Sequence, residues 1–298
     1  MNDVWMLAIS PKAGEAVVRE YGLYVESSAS LADPRNLSVA DRVVSAHAPI
    51  ALPESGGWRV HIASTQPDLR QVSLRTVREH VIRAHRLFPG LRHINMHAAP
   101  HQFPDPPVRP GSNPVPPLRP DLARWEVLVD SVRSVARLCQ SLGLTLSVEN
   151  NWAYWDGIAP ETPPETCDPA RFVEYFCTSP EEWLRLPLDV NEPNFSMCLD
   201  PSHAAPYCHR RPVRDRREVL TRFLSELPLL GHLHWNDSDL YHVRGRDDLH
   251  LPIGSGNLGD EFHCTLKGWA GEAGHVAVLE HFADRASLER ELAYIASL

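Results

Sequence analysis

Nine residues of metal-binding type stand at or just after the ends of strand-like runs that are scattered over most of the chain. Each carries an imidazole or a carboxylate, and mixed sets of these groups coordinate zinc, manganese, iron or cobalt. A single histidine or aspartate at a strand end is usually structural, so the repetition of the pattern is what predicts a metal site. The nine residues are His47, His97, Glu149, Asp200, His203, His234, Asp248, His250 and Glu280.

The spacing of these residues follows the geometry of a β-strand. The run Leu144–Glu149 alternates apolar residues and ends in a carboxylate. The run Phe195–Asp200 ends in an aspartate and continues into Pro-Ser-His203, so an oxygen and an imidazole lie on either side of a strand-to-loop turn. His232 and His234 share one strand face because side chains alternate with period two. We therefore expect His234 nearest the strand end and His232 in the core or behind the ligands.

Ligands so far apart in sequence can share a site only if the fold brings the ends of their strands together. Eight β-rich runs separated by amphipathic stretches indicate such a fold. The alternation predicts an α/β fold, a single (β/α)8 TIM barrel over residues 1–298, whose metal site lies at the C-terminal face of the strands. The predicted strands are Val4–Ser10, Tyr24–Ser27, Val43–Pro49, Leu91–His97, Leu144–Glu149, Phe195–Asp200, Gly231–Asn236 and His275–Glu280. The clearest helical stretches are Leu74–Phe88, Asp121–Leu142, Arg217–Leu227 and Ala286–Leu298, with Ala13–Tyr21 left for a first helix.

Composition restricts the class of partner. The chain has 298 residues, 29 basic and 38 acidic, and a net charge of −9, which disfavours nucleic acid without excluding a local basic patch. Six cysteines without a C-x-x-C spacing, no apolar leader and no apolar run of about 18 to 20 residues predict a cytoplasmic protein with no membrane association. A small-molecule substrate fits this composition, and homo-oligomerisation stays open.

Three long segments follow ligand-bearing strands and are expected to shape a pocket at the barrel mouth. They are the proline-rich Ala98–Pro120, then Asn151–Pro169, and finally Asp237–Gly259. We predict that Trp152 and Trp155 bind substrate by stacking on a sugar face, the alternative being that they anchor their loop to the rim.

Two arginines form a further candidate for substrate binding. Arg210 and Arg211 follow the Asp200 strand and could offer guanidinium groups to a phosphate or carboxylate. The alternative is a solvated start of a helix.

Taken in order, these motifs resemble the xylose isomerase-like barrel superfamily, which includes endonuclease IV and the sugar-phosphate isomerases and epimerases. The resemblance spans most of the chain. It rests on Ser45-Ala-His-Ala-Pro49, His97, the Glu149 strand, Cys198-Leu-Asp-Pro-Ser-His203, His234-Trp-Asn-Asp237, Asp248-Leu-His-Leu-Pro-Ile-Gly254 and Leu279-Glu280.

The resemblance implies two possible metal contents. In members similar to endonuclease IV, the nine matching positions hold three ions, whereas simpler isomerase-like members use a core that corresponds to Glu149, Asp200, His234 and Glu280. We therefore expect one to three divalent ions per chain, and the other five residues either bind metal or hold substrate hydroxyls.

Two departures from endonuclease IV disfavour DNA repair. The first strand lacks the histidine-containing opening expected of that enzyme. The loops expected to grip DNA are short or replaced by the proline-rich segment Ala98–Pro120.

Our leading hypothesis is an isomerase or epimerase of a small polyhydroxylated carbonyl compound, which works through a metal-stabilised enediolate. Glu149 and Glu280 would flank the reacting carbons and transfer the proton, while His203 or His250 polarises the oxygen. Dehydration or retro-aldol cleavage could start from the same intermediate.

Two other functions stay open at this point. A multinuclear zinc phosphoesterase related to endonuclease IV would need all nine ligands. A non-catalytic metal-binding or sugar-binding barrel is the weaker alternative, since a buried site with many ligands is costly unless metal is bound and used.

Overall fold

Eight parallel strands close into a barrel in the computed structural model, which describes residues 6–52, 59–99, 103–104, 118–119, 122–159, 162–163, 166–168, 171–272 and 275–298. Each strand pairs with its neighbours along the chain, and β8 closes on β1. The predicted α/β barrel is therefore confirmed, and every predicted run overlaps a strand. The strands are β1 Met6–Ile9, β2 Tyr24–Ser27, β3 Val43–His47, β4 His93–His97, β5 Thr145–Glu149, β6 Phe195–Leu199, β7 Leu230–His234 and β8 Val276–Leu279.

Helices cover the outside of the barrel between the strands. They are α1 Gly14–Glu20, α2 Pro34–Leu37, α3 Pro67–Leu87, α4 Trp125–Ser141, α5 Pro180–Val190, α6 Pro201–Cys208, α7 Arg216–Arg222, α8 Asp260–Ala270 and α9 Arg285–Ser297. Each predicted helical stretch overlaps a helix, and α3 begins at Pro67, seven residues before the predicted start at Leu74. Sequence periodicity did not identify α5, α6 and α8, two of which carry an internal proline, Pro187 in α5 and Pro206 in α6.

Side chains at the starts of helices accept the backbone N–H groups that a first helical turn leaves unpaired. Ser179 accepts from the amide of Glu182 at the start of α5, and Asp284 accepts from Ser287 at the start of α9. Asp200 does the same for α6, which means that a predicted metal ligand also fixes the turn that follows its strand.

Strand register places the predicted ligands at one level of the barrel. His97 of β4 lies beside Glu149 of β5, and His47 of β3 lies beside Asn95 of β4. Because the strands are parallel, their C-terminal ends form one face, and the residues that follow them meet there.

The barrel has two kinds of interior. Between strands and helices lies a large apolar core that includes Leu146, Val148 and Trp183. Inside the barrel, a small apolar cluster around Met6, Ala8 and Val276 gives way toward the C-terminal face to buried polar side chains. Buried polar groups are costly unless they are paired, so this polar layer points to a site above it.

The three predicted mouth segments are described to different extents. Most of Ala98–Pro120 and part of Asn151–Pro169 lie outside the described residues. Ala153–Trp155 pairs with Phe172–Glu174 as an antiparallel ribbon, and Phe103–Pro104 pairs with Leu118–Arg119. In the described part of the chain, none of the helices is long and apolar enough to cross a membrane.

Candidate metal centre

All nine predicted ligands meet at the C-terminal face of the barrel, where the other seven lie around the buried carboxylates of Glu149 and Asp200. Each belongs to a chain of contacts between imidazole nitrogens and carboxylate oxygens of 3.0 to 3.9 Å. Three of their triads have ligand atoms within 4.8 Å of one another, which is close enough to share an ion. These triads are His47 with His97 and Glu149, Asp200 with His203 and His250, and Glu149 with Asp200 and His234.

Glu149 joins two sides of the cluster. Its Oε2 lies 3.5 Å from His47 Nε2 and 3.7 Å from His97 Nε2. Its Oε1 lies 3.1 Å from Nδ1 of both His203 and His234. Only about 1 % of its side chain is exposed, so this carboxylate is held by the protein rather than by solvent.

Asp200 contacts the imidazoles on the side of the cluster that includes His203 and His250. Its Oδ2 lies 3.0 Å from His250 Nε2, while its Oδ1 accepts the amides of Ser202 and His203. Asp248 completes this side, with its carboxylate oxygens 3.4 Å from His203 Nε2 and 3.3 Å from His250 Nε2.

Glu280 lies between the two sides. Its Oε2 is 3.3 Å from His234 Nδ1 and 3.4 Å from His250 Nε2. This oxygen is buried and has no hydrogen-bond partner among the described residues. A buried carboxylate oxygen without a donor is costly, and a divalent cation would satisfy it.

In four of the five imidazoles, one nitrogen lies within hydrogen-bond distance of an oxygen that can accept a hydrogen bond and has no hydrogen to donate. The acceptors are the Ala48 carbonyl for His47 Nδ1, Asn151 Oδ1 for His97 Nδ1, the Asn150 carbonyl for His203 Nδ1 and a Glu26 carboxylate for His234 Nε2. The proton therefore sits on that nitrogen, and the other nitrogen turns its lone pair toward the carboxylates. Metal-ligating histidines have this arrangement, because the second hydrogen bond fixes the tautomer. The donor set therefore fits a divalent metal.

The fifth imidazole is held by an unusual backbone conformation. His250 has a φ of 41°, in the left-handed region that non-glycine residues seldom adopt. Its amide donates to Ser202 Oγ at 3.0 Å, which helps to hold the backbone there. Backbone strain of this kind clusters at functional sites and costs about 1–3 kcal/mol.

The buried carboxylates and imidazoles shift each other's pKa values. Burial would raise the pKa of Asp200, but attraction to His203 and His250 lowers it. Burial would lower the pKa of His250, yet attraction to Asp200 and the hydrogen bond between them raise it to about 9. His97 differs, because burial lowers its pKa to about 4 despite the attraction of Glu149, so its imidazole is neutral at pH 7 and suited to ligation.

Sequence reasoning missed the side chains that position the cluster. Asn95 Nδ2 donates to Glu149 Oε2 at 2.7 Å, and Asn236 Nδ2 donates to Asp200 Oδ1 at 2.9 Å. Asn150 exchanges two hydrogen bonds with the backbone of Asp200. Asparagines beside strand-end carboxylates were the available signal, since amides are able to orient a carboxylate by donating to it.

A cavity of about 360 Å³ opens beside the cluster. Six predicted residues line it, namely His47, His97, His203, Asp248, His250 and Glu280. Trp152 lines it as well, with its ring edge-on to His97 at 5.6 Å between centroids and with the Arg59 guanidinium 4.6 Å from its own centroid. Trp152 therefore lies where it could stack on a substrate, and this role stays a prediction.

The other three predicted substrate-binding residues are not among those that line this cavity. Trp155 packs on Phe172 within the ribbon, with 5.0 Å between ring centroids. The Arg210 guanidinium lies 4.3 Å from the same Phe172 ring and pairs with Glu174 at 3.2 Å. Arg211 is exposed at the end of α6, where its amide donates to the Cys208 carbonyl. Arg210 follows the end of α6 and does not start a helix, and the substrate-binding roles of Trp155, Arg210 and Arg211 stay predictions.

The closed parallel barrel, with a cluster of carboxylates and imidazoles at its C-terminal face, defines the chain as a TIM barrel with a candidate metal centre. The family model described as "Xylose isomerase-like TIM barrel" matches residues 12–298, and the chain belongs to that family. A comparison with curated proteins gives no match.

Solved structures share this fold at low sequence identity. A D-tagatose 3-epimerase-like protein superposes with a TM-score of 0.59 at 17% identity, with 98% of each chain covered. The 3-keto-D-glucoside 4-epimerase of E. coli gives 0.59 at 15% identity, covering 99% of this chain and 100% of that one. A Thermus thermophilus protein soaked with zinc chloride gives 0.58 at 18% identity, with 99% of each chain covered. At these identities the likeness shows the fold.

Proposed function

We propose that the protein is a divalent-metal-dependent isomerase or epimerase of a small sugar-like carbonyl compound. The observation that carries this proposal is the orientation of the imidazoles, four of which give one N–H to an outside acceptor and turn the free nitrogen toward carboxylates. Family membership and the sugar epimerases among the structural neighbours support the same reaction class.

Glu149, Asp200, His234 and Glu280 are the residues that we propose as the core metal ligands. A bound ion would supply Lewis acidity that offsets negative charge on neighbouring substrate oxygens. The acidic cluster itself favours a cation, since its carboxylates repel one another unless positive charge lies between them.

Glu149 and Glu280 are the proposed proton-transfer residues. Both carboxylates lie beside the same nitrogen, His234 Nδ1, at 3.1 and 3.3 Å, and Glu280 also lines the cavity. A proton leaves the carbon next to the carbonyl and returns to that carbon's opposite face or to the adjacent carbon. No second reactant is needed, because the product is an isomer of the substrate.

His203 and His250 are the proposed electrophilic partners of the substrate oxygens. Both line the cavity. Burial would lower the pKa of His250, but attraction to Asp200 raises it to about 9, so its protonated ring can donate to an oxygen that gains negative charge during proton removal. His203 takes the same role in the form that is protonated on both nitrogens, which attraction to Asp200 favours against the effect of burial on its pKa. In this arrangement they hold substrate, and one ion per chain suffices.

A multinuclear phosphoesterase is the second candidate function. The observation that favours it is the set of three overlapping ligand triads, which together involve seven of the nine residues. Two or three ions would then activate water and bind a phosphate, and His47, His97, His203 and His250 would all be ligands.

The experiment begins with the metal content of protein purified without added metal. Protein loaded with manganese, cobalt or zinc is then incubated in D2O with a panel of ketoses and ketosugar acids, and deuterium at the carbon beside the carbonyl is measured by NMR. We expect exchange that a chelator abolishes. Two or three ions per chain together with rapid cleavage of abasic-site DNA, and no exchange into any sugar, would overturn the proposal.

The matched variants are Glu280→Gln and Glu289→Gln. Glu280→Gln removes a proposed base and should lower the exchange rate by about 100-fold or more. Glu289 on α9 accepts a hydrogen bond from the Tyr21 hydroxyl and is not among the residues that line the cavity, so its substitution should leave the rate unchanged. Equal activity of both variants would refute the role of Glu280.

A further inference from the structure

Glu26 is a carboxylate on β2 that contacts His234, lines the cavity beside the metal cluster and is not one of the nine predicted ligands. Only 5% of it is exposed. Its Oε1 lies 2.7 Å from His234 Nε2, and its Oε2 lies 2.9 Å from His232 Nε2. Ser45 Oγ donates to the same Oε2 at 2.5 Å. One buried carboxylate thus receives three hydrogen bonds from side chains of two other strands.

These contacts indicate that Glu26 is not itself a metal ligand. Both of its oxygens are already occupied by donors, whereas Glu280 presents a buried oxygen without one among the described residues. Because three donors surround its two oxygens, the Glu26 carboxylate accepts at both of them.

Asn95 offers no alternative partner for the His234 proton. Its Nδ2 lies 3.2 Å from His234 Nε2 and donates to Glu149 Oε2 at 2.7 Å. An amide nitrogen carries only donors, so Asn95 could pair with Nε2 only if that nitrogen had no proton, and its lone pair would then face the Glu26 carboxylate at 2.7 Å and be repelled by it. Among the described residues, Glu26 is the acceptor that the geometry gives to this nitrogen.

We propose that Glu26 is a positioning residue that holds His234 in the Nε2-protonated tautomer and so directs Nδ1 at the metal. Nδ1 lies 3.1 Å from Glu149 and 3.3 Å from Glu280, whose carboxylates would share the ion. The negative charge on Glu26 also makes the imidazole a better donor to the metal. The inference rests on the proposed metal centre and adds a residue to it.

The test compares zinc affinity of the wild type with that of Glu26→Gln, measured by competition with a chromophoric chelator. We expect the dissociation constant to rise about 10- to 100-fold, the usual effect of removing such a carboxylate. Ser45→Ala is the matched control, because it removes a donor to Oε2 and leaves the Oε1 contact with His234. It should lose much less affinity than Glu26→Gln.

A spectroscopic measurement on the wild type identifies the tautomer directly, and the Glu26→Gln variant then shows what holds it. In the zinc-loaded wild type, a hydrogen-bonded ring proton should be coupled to Nε2 of His234 in 15N-resolved NMR spectra, and Nδ1 should carry no proton. In Glu26→Gln this proton should move upfield or exchange with solvent. If Glu26 had only a structural role, Glu26→Gln would leave the signal of this ring proton unchanged.

The outcomes separate this inference from the proposed function. Zinc binding by the wild type with equal affinity in Glu26→Gln would overturn the role of Glu26 and leave the metal centre standing. A proton on Nδ1 of His234 in the zinc-loaded wild type would overturn it even if Glu26→Gln failed to fold. Absence of metal binding by the wild type would overturn both.

Discussion

Asp237 fixes the loop that carries two of the proposed ligands, and replacing it with asparagine should loosen that loop. Its Oδ1 accepts the amides of Ser238 and Leu258, and its Oδ2 accepts those of Gly254 and Gly256, at 2.8 to 3.2 Å. Three of these amides belong to the segment that follows Asp248 and His250. Asp237→Asn turns one acceptor oxygen into an NH2 group that faces two N–H donors.

The size of the effect follows from these four hydrogen bonds. Two are lost in Asp237→Asn, and each hydrogen bond to a charged acceptor contributes about 1.5–3 kcal/mol. We therefore expect the free energy of opening of this loop to fall by about 3–6 kcal/mol. Since about 1.4 kcal/mol is a factor of ten, the amides of Gly254, Gly256 and Leu258 should exchange with solvent at least about 100-fold faster.

Hydrogen–deuterium exchange measured by mass spectrometry over residues 248–258 is the assay, together with zinc stoichiometry. Asp260→Asn is the control, because it makes the same charge change at the start of α8, where asparagine can still accept from the Tyr294 hydroxyl. Unchanged protection of residues 251–258 in Asp237→Asn would refute the reasoning, as would equal effects of the two substitutions.

Two further predictions concern pH and metal. His80 is buried in α3, and burial lowers its pKa to about 4, so the folded protein keeps it neutral while the unfolded chain takes up a proton below about pH 6.5. The contribution of neutral His80 to the free energy of unfolding is therefore lost as pH falls from 6.5 toward 4. Between pH 7 and pH 4 the free energy of unfolding of His80→Leu should fall about 3 kcal/mol less than that of the wild type. Equal pH dependence of the urea midpoints of the two proteins would contradict this prediction. Zinc at about 1,000 times its dissociation constant should stabilise the fold by about 4 kcal/mol relative to protein in chelator. A melting temperature in calorimetry that changes with neither zinc nor chelator would argue against the metal centre.

The barrel and the membership of the cluster could be predicted because both follow from local pattern. A strand such as β5 alternates apolar residues and ends in a carboxylate, and closure of eight such strands brings their ends to one face whatever the loops do. His97 and Glu149 are 52 positions apart in sequence yet neighbours in register, as the repeated pattern implies.

The residues behind the ligands could not be predicted, because their partners are set by side-chain direction and strand register. Glu26 and His234 are separated by 208 positions, and nothing in the run Tyr24–Ser27 identifies that contact. A charged residue inside a buried strand was the only warning, since such a residue must be paired. Arg210 shows the reverse case, since it follows a ligand-bearing strand yet pairs with Glu174 and lies over Phe172, outside the residues that line the cavity.

The sequence by itself determined the fold class, the strand positions to within a few residues and the nine candidate ligands, since each depends on residue type and on a period that neighbouring residues share. Only the tertiary structure decided which imidazole nitrogen faces the carboxylates, which asparagines hold them, and which carboxylate oxygen is left without a donor among the described residues. The physical reason is that a hydrogen bond depends on distance and direction between atoms that the closed barrel brings together from different strands.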